Sequence, residues 1–371
     1  MTSHATALVQ TGPGTTEFRE IPLPALNPGE VLVRVAANGL CGSDIDAFEG
    51  APGWSFEPRI GGHEIVGVIE SLGPVTRARE GLKIGDLVAV NPLISCGECS
   101  TCRQPGYVMC TGFDHAASYG FIPLTVGAGL WGGYATHVVV HAKAILYPFP
   151  SDFDPLDATL WNPLGGAIQW SVMNVGTTIG STVAILGSGQ RGLASVVATK
   201  SAGAELVLAT GLDKDRHKLE LAREFGADAV VNVEADDLVV SARELTGGRG
   251  FDIVIDTTPG ATRPIEDAIE IVRPGGTIGL VGIKGRTMDG FPIDKIGTKS
   301  LRIVGSMGTG HDAYRIAAQI IASNRFPLSK MRTHTFGFDQ LAEAIRTLKG
   351  ETEEKSINIV ITPTFKASGS H

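Results

Sequence analysis

Between residues 160 and 305, short apolar runs alternate with amphipathic stretches. STVAILGSG (181–189) reads as a buried strand, LASVVATKSAGA as a helix and ELVLAT (205–210) as the next strand. DKDRHKLELAREFGA (213–227) has helical spacing and ends at glycine; AVVNV, DDLVVSARELT and FDIVIDTT follow as strand, helix and strand. IEDAIEIV is helical, and GGTIGLVGI and LRIVGSM complete the set. Strands separated by helices of about ten or more residues pair in parallel, so the pattern predicts an α/β fold with a doubly wound parallel sheet.

Up to residue 155 the pattern is different. Gly and Pro are frequent and the β-like runs are short (EVLVRVAANGL, EIVGVIESLG, GDLVAV, YATHVVVH), which predicts an irregular β domain. After residue 308 come two helical segments, AYRIAAQIIAS and DQLAEAIRTLKG, and a terminal strand, INIVITP, that could return to the first domain. The expected division is therefore 1–157 with 308–371 as one domain and 158–307 as the other. The tail 366–371, KASGSH, is expected to fray.

The length of 371 residues agrees with about two or three domains. A net charge of −8 and a pI near 5.6 argue against a dedicated nucleic-acid surface. No basic region followed by an apolar core opens the chain, and no apolar run reaches membrane-spanning length, so neither a secretory signal nor a membrane span is expected and the protein reads as cytoplasmic.

Four of the 5 cysteines fall in CGECSTCRQPGYVMC, at Cys96, Cys99, Cys102 and Cys110. In a cytosolic chain thiols stay reduced, and four thiolates converging in one loop suit a closed tetrahedral zinc site that stabilises a lobe, at about 91–112, without catalysing anything. A disulfide pair or an iron–sulfur cluster are the alternatives.

Gly187-Ser188-Gly189-Gln190-Arg191-Gly192 fits G-x-G-x-x-G, directly after a predicted strand and at the start of a helix. In that context the first glycine makes the turn, the second admits a pyrophosphate and the third lets helix and strand pack closely. Cofactor choice depends on the end of the second strand, LVLATGLDKDR. Counting forward from the loop puts Gly211 in the acidic position that reads the ribose hydroxyls; counting back from FGAD puts Asp213 there. Lys214 and Arg216 could instead hold a 2′-phosphate. NAD is favoured over NADP.

The fifth cysteine, Cys41, stands in GLCGSDIDAF, and GGHEIVG downstream brings His63 and Glu64. Thiolate, imidazole and carboxylate are all zinc ligands. Together with the features above, the set resembles the zinc-containing medium-chain dehydrogenase/reductase superfamily. The landmarks GLCGSD, GGHEIVG, GDLVAV, the four-cysteine lobe, GGYATHVVV, GSGQRG, FDIVIDTT and RPGGTIGLVG occur in family order over nearly the whole chain. The resemblance implies a GroES-like β-rich catalytic domain around a Rossmann domain, with the active site in the cleft. It further implies two zincs per chain, a nicotinamide cofactor and a homodimer or homotetramer acting on an alcohol or carbonyl substrate. It makes Cys41 and His63 zinc ligands, with Glu64 able to approach the metal. Ser43 matches the hydroxyl that passes on the alcohol proton, and Asp44 is an orienting group or a turn carboxylate.

Two positions depart from the family pattern. The third protein ligand, usually Cys, Glu or Asp, falls on Asn162 in TLWNPLGGAIQ. Asn162 could ligate weakly or hold a ligating water, Glu64 could supply the missing charge, or the metal is lost and Asn162 caps a helix. Asp46 stands where many relatives carry a histidine that ends the proton relay; it could relay the proton, bind a polyol hydroxyl or be a solvated loop acid. With Asp44 it tilts the substrate toward a polar or polyhydroxylated secondary alcohol. Trp54 and Phe56 could wall a pocket, though a packed loop is the simpler reading, and His137, His141 and His334 are assigned no chemistry. The rival functions are a reductase on this fold without the catalytic zinc and a cofactor-sensing protein without turnover.

Overall fold

The computed structural model describes residues 3–50, 56–76, 79–103, 110–113 and 117–365. Trp54 and the tail 366–371 lie outside the described residues. The chain forms two compact units: Met1–Asn162 with Ala318–Ser323 and Leu328–His371, and Pro163–Ala317 with Asn324–Pro327. The units part later than the sequence suggests, at 162/163 and 317/318 instead of 157/158 and 307/308. The second shift has a packing cause. Tyr314, on the helix His311–Ala322, packs so closely on Gly165 that a Cβ there would lie 2.3 Å from the ring, so most of this helix belongs to the second unit.

The second unit holds a six-stranded sheet, parallel throughout. Its spatial order is Ala229–Asn232, Leu206–Gly211, Thr182–Leu186, Phe251–Asp256, Val272–Leu280, Arg302–Gly305. The first three strands run in reverse sequence order and the last three forward, which is the doubly wound dinucleotide-binding order with its switch point between Thr182–Leu186 and Phe251–Asp256. Every residue of Thr182–Leu186 is buried, as a strand covered on both faces requires. The expected helix over 213–227 is divided: Asp213–Asp215 forms a 3₁₀ turn and the α-helix is Arg216–Glu224.

The first unit is β-rich. A seven-stranded sheet runs Arg332–Gly337, Asn358–Thr362, Val31–Gly39, Glu64–Leu72, Leu87–Val90, Leu146–Phe149, with His137–Val140 also paired to Val31–Gly39. A three-stranded sheet of Thr15–Pro22, His4–Gly12 and Arg59–Ile60 packs with it around one apolar core. The segment after residue 327 does return to this unit, and its last strand lies inside the sheet.

Candidate active site

Strand register brings the fifth cysteine to its partners. Val31–Gly39 pairs antiparallel with Glu64–Leu72, and Gly39 stands opposite Glu64. The chain leaves the first strand at Cys41 and enters the second at His63, so the two meet at one edge. A Cβ at position 39 would lie 2.1 Å from Glu64 Oε2, so a larger residue there would displace that carboxylate. The thiol, an imidazole nitrogen and a carboxylate oxygen of Cys41, His63 and Glu64 lie within 4.8 Å of one another. A thiolate, an imidazole and a carboxylate at that spacing fit zinc.

Cys41 is also the N-cap of the helix Gly42–Glu49. Asp44, in its first turn, accepts the Cys41 amide at Oδ2 (2.9 Å), while its Oδ1 lies 3.3 Å from His63 Nδ1. A carboxylate at Nδ1 favours the proton there and leaves Nε2 as the lone-pair donor. Burial alone would depress the imidazole pKa, but without a metal Asp44 and Cys41 outweigh it and raise it well above the ordinary value, so a metal at Nε2 would displace a proton. Ser43 Oγ is 3.5 Å from His63 Nε2. Asp46 is exposed on the same helix. The structure thus ties Asp44 to Cys41 and His63 and leaves Asp46 as the solvent-facing acid of the pair.

Asn162 is the second residue of the helix Trp161–Ile168, half-buried, and the last residue of the first unit. It sits inside the first turn and is not the cap. Phe56 packs beneath the Arg59 guanidinium at 5.8 Å. His137 is buried between Thr136 and Glu70, and His334 lies on the strand Arg332–Gly337.

Two residues near the site had no signal in the sequence. Tyr134 lies over Gly61 and Gly62, where added Cβ atoms would meet its ring at 3.0 and 2.9 Å. Burial, reinforced by Asp44, Glu64 and Cys41, pushes its phenol well above the ordinary range. Arg59 is 5% exposed and donates to the Ala47 carbonyl at 3.0 Å. Burial lowers its pKa against the opposing pull of Asp44. Tyr134 belongs to YATHVVVH, which reads only as a β-like run, and Arg59 follows Phe56 in a segment that reads as a pocket wall or a packed loop.

In the lobe, Cys96, Cys99, Cys102 and Cys110 are free thiols whose sulfurs lie within 4.8 Å of one another. Cys96 and Cys102 are 3.8 Å apart, far beyond a disulfide bond. A zinc–sulfur tetrahedron with bonds of about 2.3 Å has edges of about 3.8 Å, so the spacing fits zinc. Backbone amides of Cys96, Glu98, Cys99, Cys102 and Gly112 donate to these sulfurs at 3.3–3.4 Å. The hydroxyl of Thr101, aided by backbone amides, brings the Cys99 thiol down to about 4.

The glycine motif lies at the carboxyl edge of the parallel sheet, at the switch point. Gly187 follows Leu186 with φ 99°, a conformation that favours glycine. Gly189 caps the helix Gln190–Ser201, and the space where its Cβ would sit is open. A Cβ on Gly192 would lie 1.9 Å from the Gly187 carbonyl oxygen. These are the turn, the open approach and the close packing that a pyrophosphate at a helix N-terminus needs. Gln190 opens the helix, and the Arg191 guanidinium rests over Trp170 at 5.7 Å. The second strand ends at Gly211, so the acidic position of the forward count is a glycine. Asp213 Oδ1 accepts from Arg216 at 2.9 and 2.6 Å and from Asn232 at 3.2 Å. These contacts pull its pKa down, Arg216 first.

The family profile "Alcohol dehydrogenase GroES-like domain" matches residues 27–151, and "Zinc-binding dehydrogenase" matches 192–323. A protein named "Probable alcohol dehydrogenase adh" of Mycobacterium tuberculosis is 39% identical over 363 residues, covering 96% of this chain and 98% of the relative. This chain belongs to the zinc-type medium-chain dehydrogenase/reductase superfamily. It is an oxidoreductase of the class that works with zinc and a nicotinamide cofactor. Two solved structures of similar fold hold a nicotinamide cofactor. One, described as a zinc-binding dehydrogenase of Sinorhizobium meliloti 1021, is bound to NADP (TM-score 0.84, 26% identity, 98% of this chain and 100% of that one). The other, the short chain alcohol dehydrogenase rspB of Escherichia coli CFT073, is complexed with NADH (TM-score 0.80, 27% identity, 97% and 100%). Among the described residues of this medium-chain dehydrogenase, no helix is long and apolar enough to cross a membrane.

Proposed function

We propose that this protein is a zinc-dependent dehydrogenase that moves a hydride between a secondary alcohol of polyol or sugar type and a nicotinamide cofactor, with NAD favoured over NADP. The observation that carries the reading is the convergence of Cys41, His63 and Glu64 within 4.8 Å. These three residues would hold the catalytic zinc, with Asn162 at the position of a further ligand, and the four lobe cysteines would hold a second zinc. Bound at Cys41, zinc supplies Lewis acidity that makes a hydroxyl beside it a far stronger acid. Ser43, beside His63, takes the alcohol proton, and the exposed Asp46 passes it to solvent or binds a second substrate hydroxyl.

Gly187, Gly189, Gln190, Arg191 and Gly192 receive the pyrophosphate, and Asp213 and Arg216 face the adenosine ribose. The partners are small alcohols and carbonyl compounds in the cytoplasm, not nucleic acid or membrane. The exposed edge strand Arg302–Gly305 offers unpaired backbone for a homodimer or homotetramer.

The test is zinc per chain, by elemental analysis of untagged protein, with turnover of an alcohol panel on NAD and on NADP. Two zincs, falling to one in Cys41→Ser, with alcohol-dependent NADH formation, is the expected result. The neutral amide of Asn162 favours one rival, a reductase without the catalytic zinc. One zinc per chain, unchanged by Cys41→Ser, would transfer the assignment to it.

A further inference from the structure

At the carboxyl edge of the parallel sheet a buried ion pair stands behind the glycine motif. Asp256 ends the strand Phe251–Asp256, in register with Leu186 on one side and Leu280 on the other, and is fully buried. Lys284 Nζ lies 2.7 Å from its Oδ2, a charge contact without hydrogen-bond angles. The same ammonium donates to the carbonyl and the hydroxyl of Thr258 at 2.5 and 3.0 Å. Asp256 Oδ1 in turn accepts the amide and hydroxyl hydrogens of Thr258 at 3.0 and 2.6 Å. One ion pair thus engages every polar atom of Thr258.

Thr258 and its neighbour bear directly on the dinucleotide motif. The Thr257 hydroxyl donates to the carbonyls of Leu186 and Gly187 at 2.9 and 3.3 Å. The space beside Gly187 is closed by Thr257 Oγ1 and Thr258 Cγ2, each 2.9 Å from where a Cβ would stand. Gly282 lets the Thr258 carbonyl come this close, since a Cβ there would lie 2.1 Å from it.

Two of the three ammonium protons go to Thr258 and the charge faces the buried Asp256 carboxylate, so Lys284 is engaged with its own unit. A buried ion pair is also a weak source of stability compared with apolar packing. We propose that Lys284 and Asp256 are positioning residues: they lock 257–258 against Gly187 and so hold the motif in its cofactor-receiving shape. This rests on the dinucleotide reading under Proposed function.

The test is NADH and NADPH titration by fluorescence, with thermal melts, on the full-length protein, Lys284→Met, Thr258→Val and the double variant Asp256→Leu/Lys284→Met. Lys284→Met is expected to lower both stability and affinity, because it leaves a buried carboxylate uncompensated. The double variant removes both charges and regains thermal stability, yet its cofactor Kd stays about tenfold or more above that of the unaltered protein. Thr258→Val takes a donor from the buried carboxylate and an acceptor from the ammonium, so it is expected to raise Kd and to lower melting. The cofactor KM rises more than kcat falls. A double variant, or a Thr258→Val protein, with unaltered affinity would overturn the inference while leaving the dinucleotide reading intact. Failure of the unaltered protein to bind either cofactor would overturn both.

Discussion

Asp44 stands between Cys41 and His63: one carboxylate oxygen accepts the Cys41 amide at 2.9 Å and the other lies 3.3 Å from His63 Nδ1. Asp44→Asn keeps the helix-start contact but removes the negative charge beside the ring. Outer carboxylates of this kind typically contribute about ten- to a hundredfold in metal affinity. Chelator competition is expected to show that weakening for one zinc and none for the lobe zinc. Unaltered affinity would reduce Asp44 to a helix-start residue.

Replacing the amide at 162 tests the unusual ligand position. Asn162→Glu restores an anionic group, and zinc is expected to leave the Cys41 site more slowly in excess chelator. Equal release rates would remove Asn162 from the metal's surroundings.

Two glycines of the dinucleotide motif have separable roles. In Gly192→Ala the new methyl meets the Gly187 carbonyl at 1.9 Å, and overpacking of this kind costs about 1–3 kcal/mol. In Gly189→Ala the methyl enters open space at a helix cap. Both variants are expected to lose cofactor affinity, but only Gly192→Ala to melt earlier. Equal melting of the two would contradict the packing argument.

Acid stability has an identifiable contributor in Asp252. Its carboxylate accepts from the Thr182 amide and hydroxyl, both at 2.8 Å, and from Arg273 at 2.7 Å. Burial alone would raise its pKa; Arg273 and Thr182 outweigh burial and hold it below the ordinary 3.8. A carboxyl depressed in the fold contributes stability that is complete above its unfolded pKa of about 3.9 and is lost as pH falls through the lower folded value. Denaturant unfolding of Asp252→Asn is therefore expected to show lower stability at pH 7 and a shallower decline on acidification. A decline as steep as that of the unaltered protein would refute the assignment.

Chemistry written in consecutive residues was legible in the sequence; chemistry assembled by register was not. The glycine motif and the four-cysteine loop carry their spacing within a single segment. Thr182–Leu186 could be read because both its faces are buried, which leaves an unbroken apolar run. The helix Gly42–Glu49 buries only Asp44 and Ala47, so it shows no apolar stripe. The strand Arg332–Gly337 is half exposed and polar, and its parallel partner lies some distance along the chain. Cys41, His63 and Glu64 were singled out by family resemblance. The physical reason they meet, Gly39 opposite Glu64, depends on a long-range pairing that no local pattern encodes. The roles of Tyr134 and Arg59 are set by the same tertiary packing.

The strand that ends next to Cys41 is completed by some of the last described residues. Asn358–Thr362 pairs with Val31–Gly39 at Val360↔Gly39 and Ile361↔Asn38, and the Leu40 amide donates to the Ile359 carbonyl at 2.9 Å. On the ribosome, where chains emerge from the N-terminus and domains fold as units, the nucleotide-binding unit is whole before that strand has been synthesised. The cysteine at the start of the active-site helix is thus translated early and framed late. During that interval the edge of Val31–Gly39 that receives Asn358–Thr362 is open beside Cys41, so the frame around the candidate site closes only after the nucleotide-binding unit is complete.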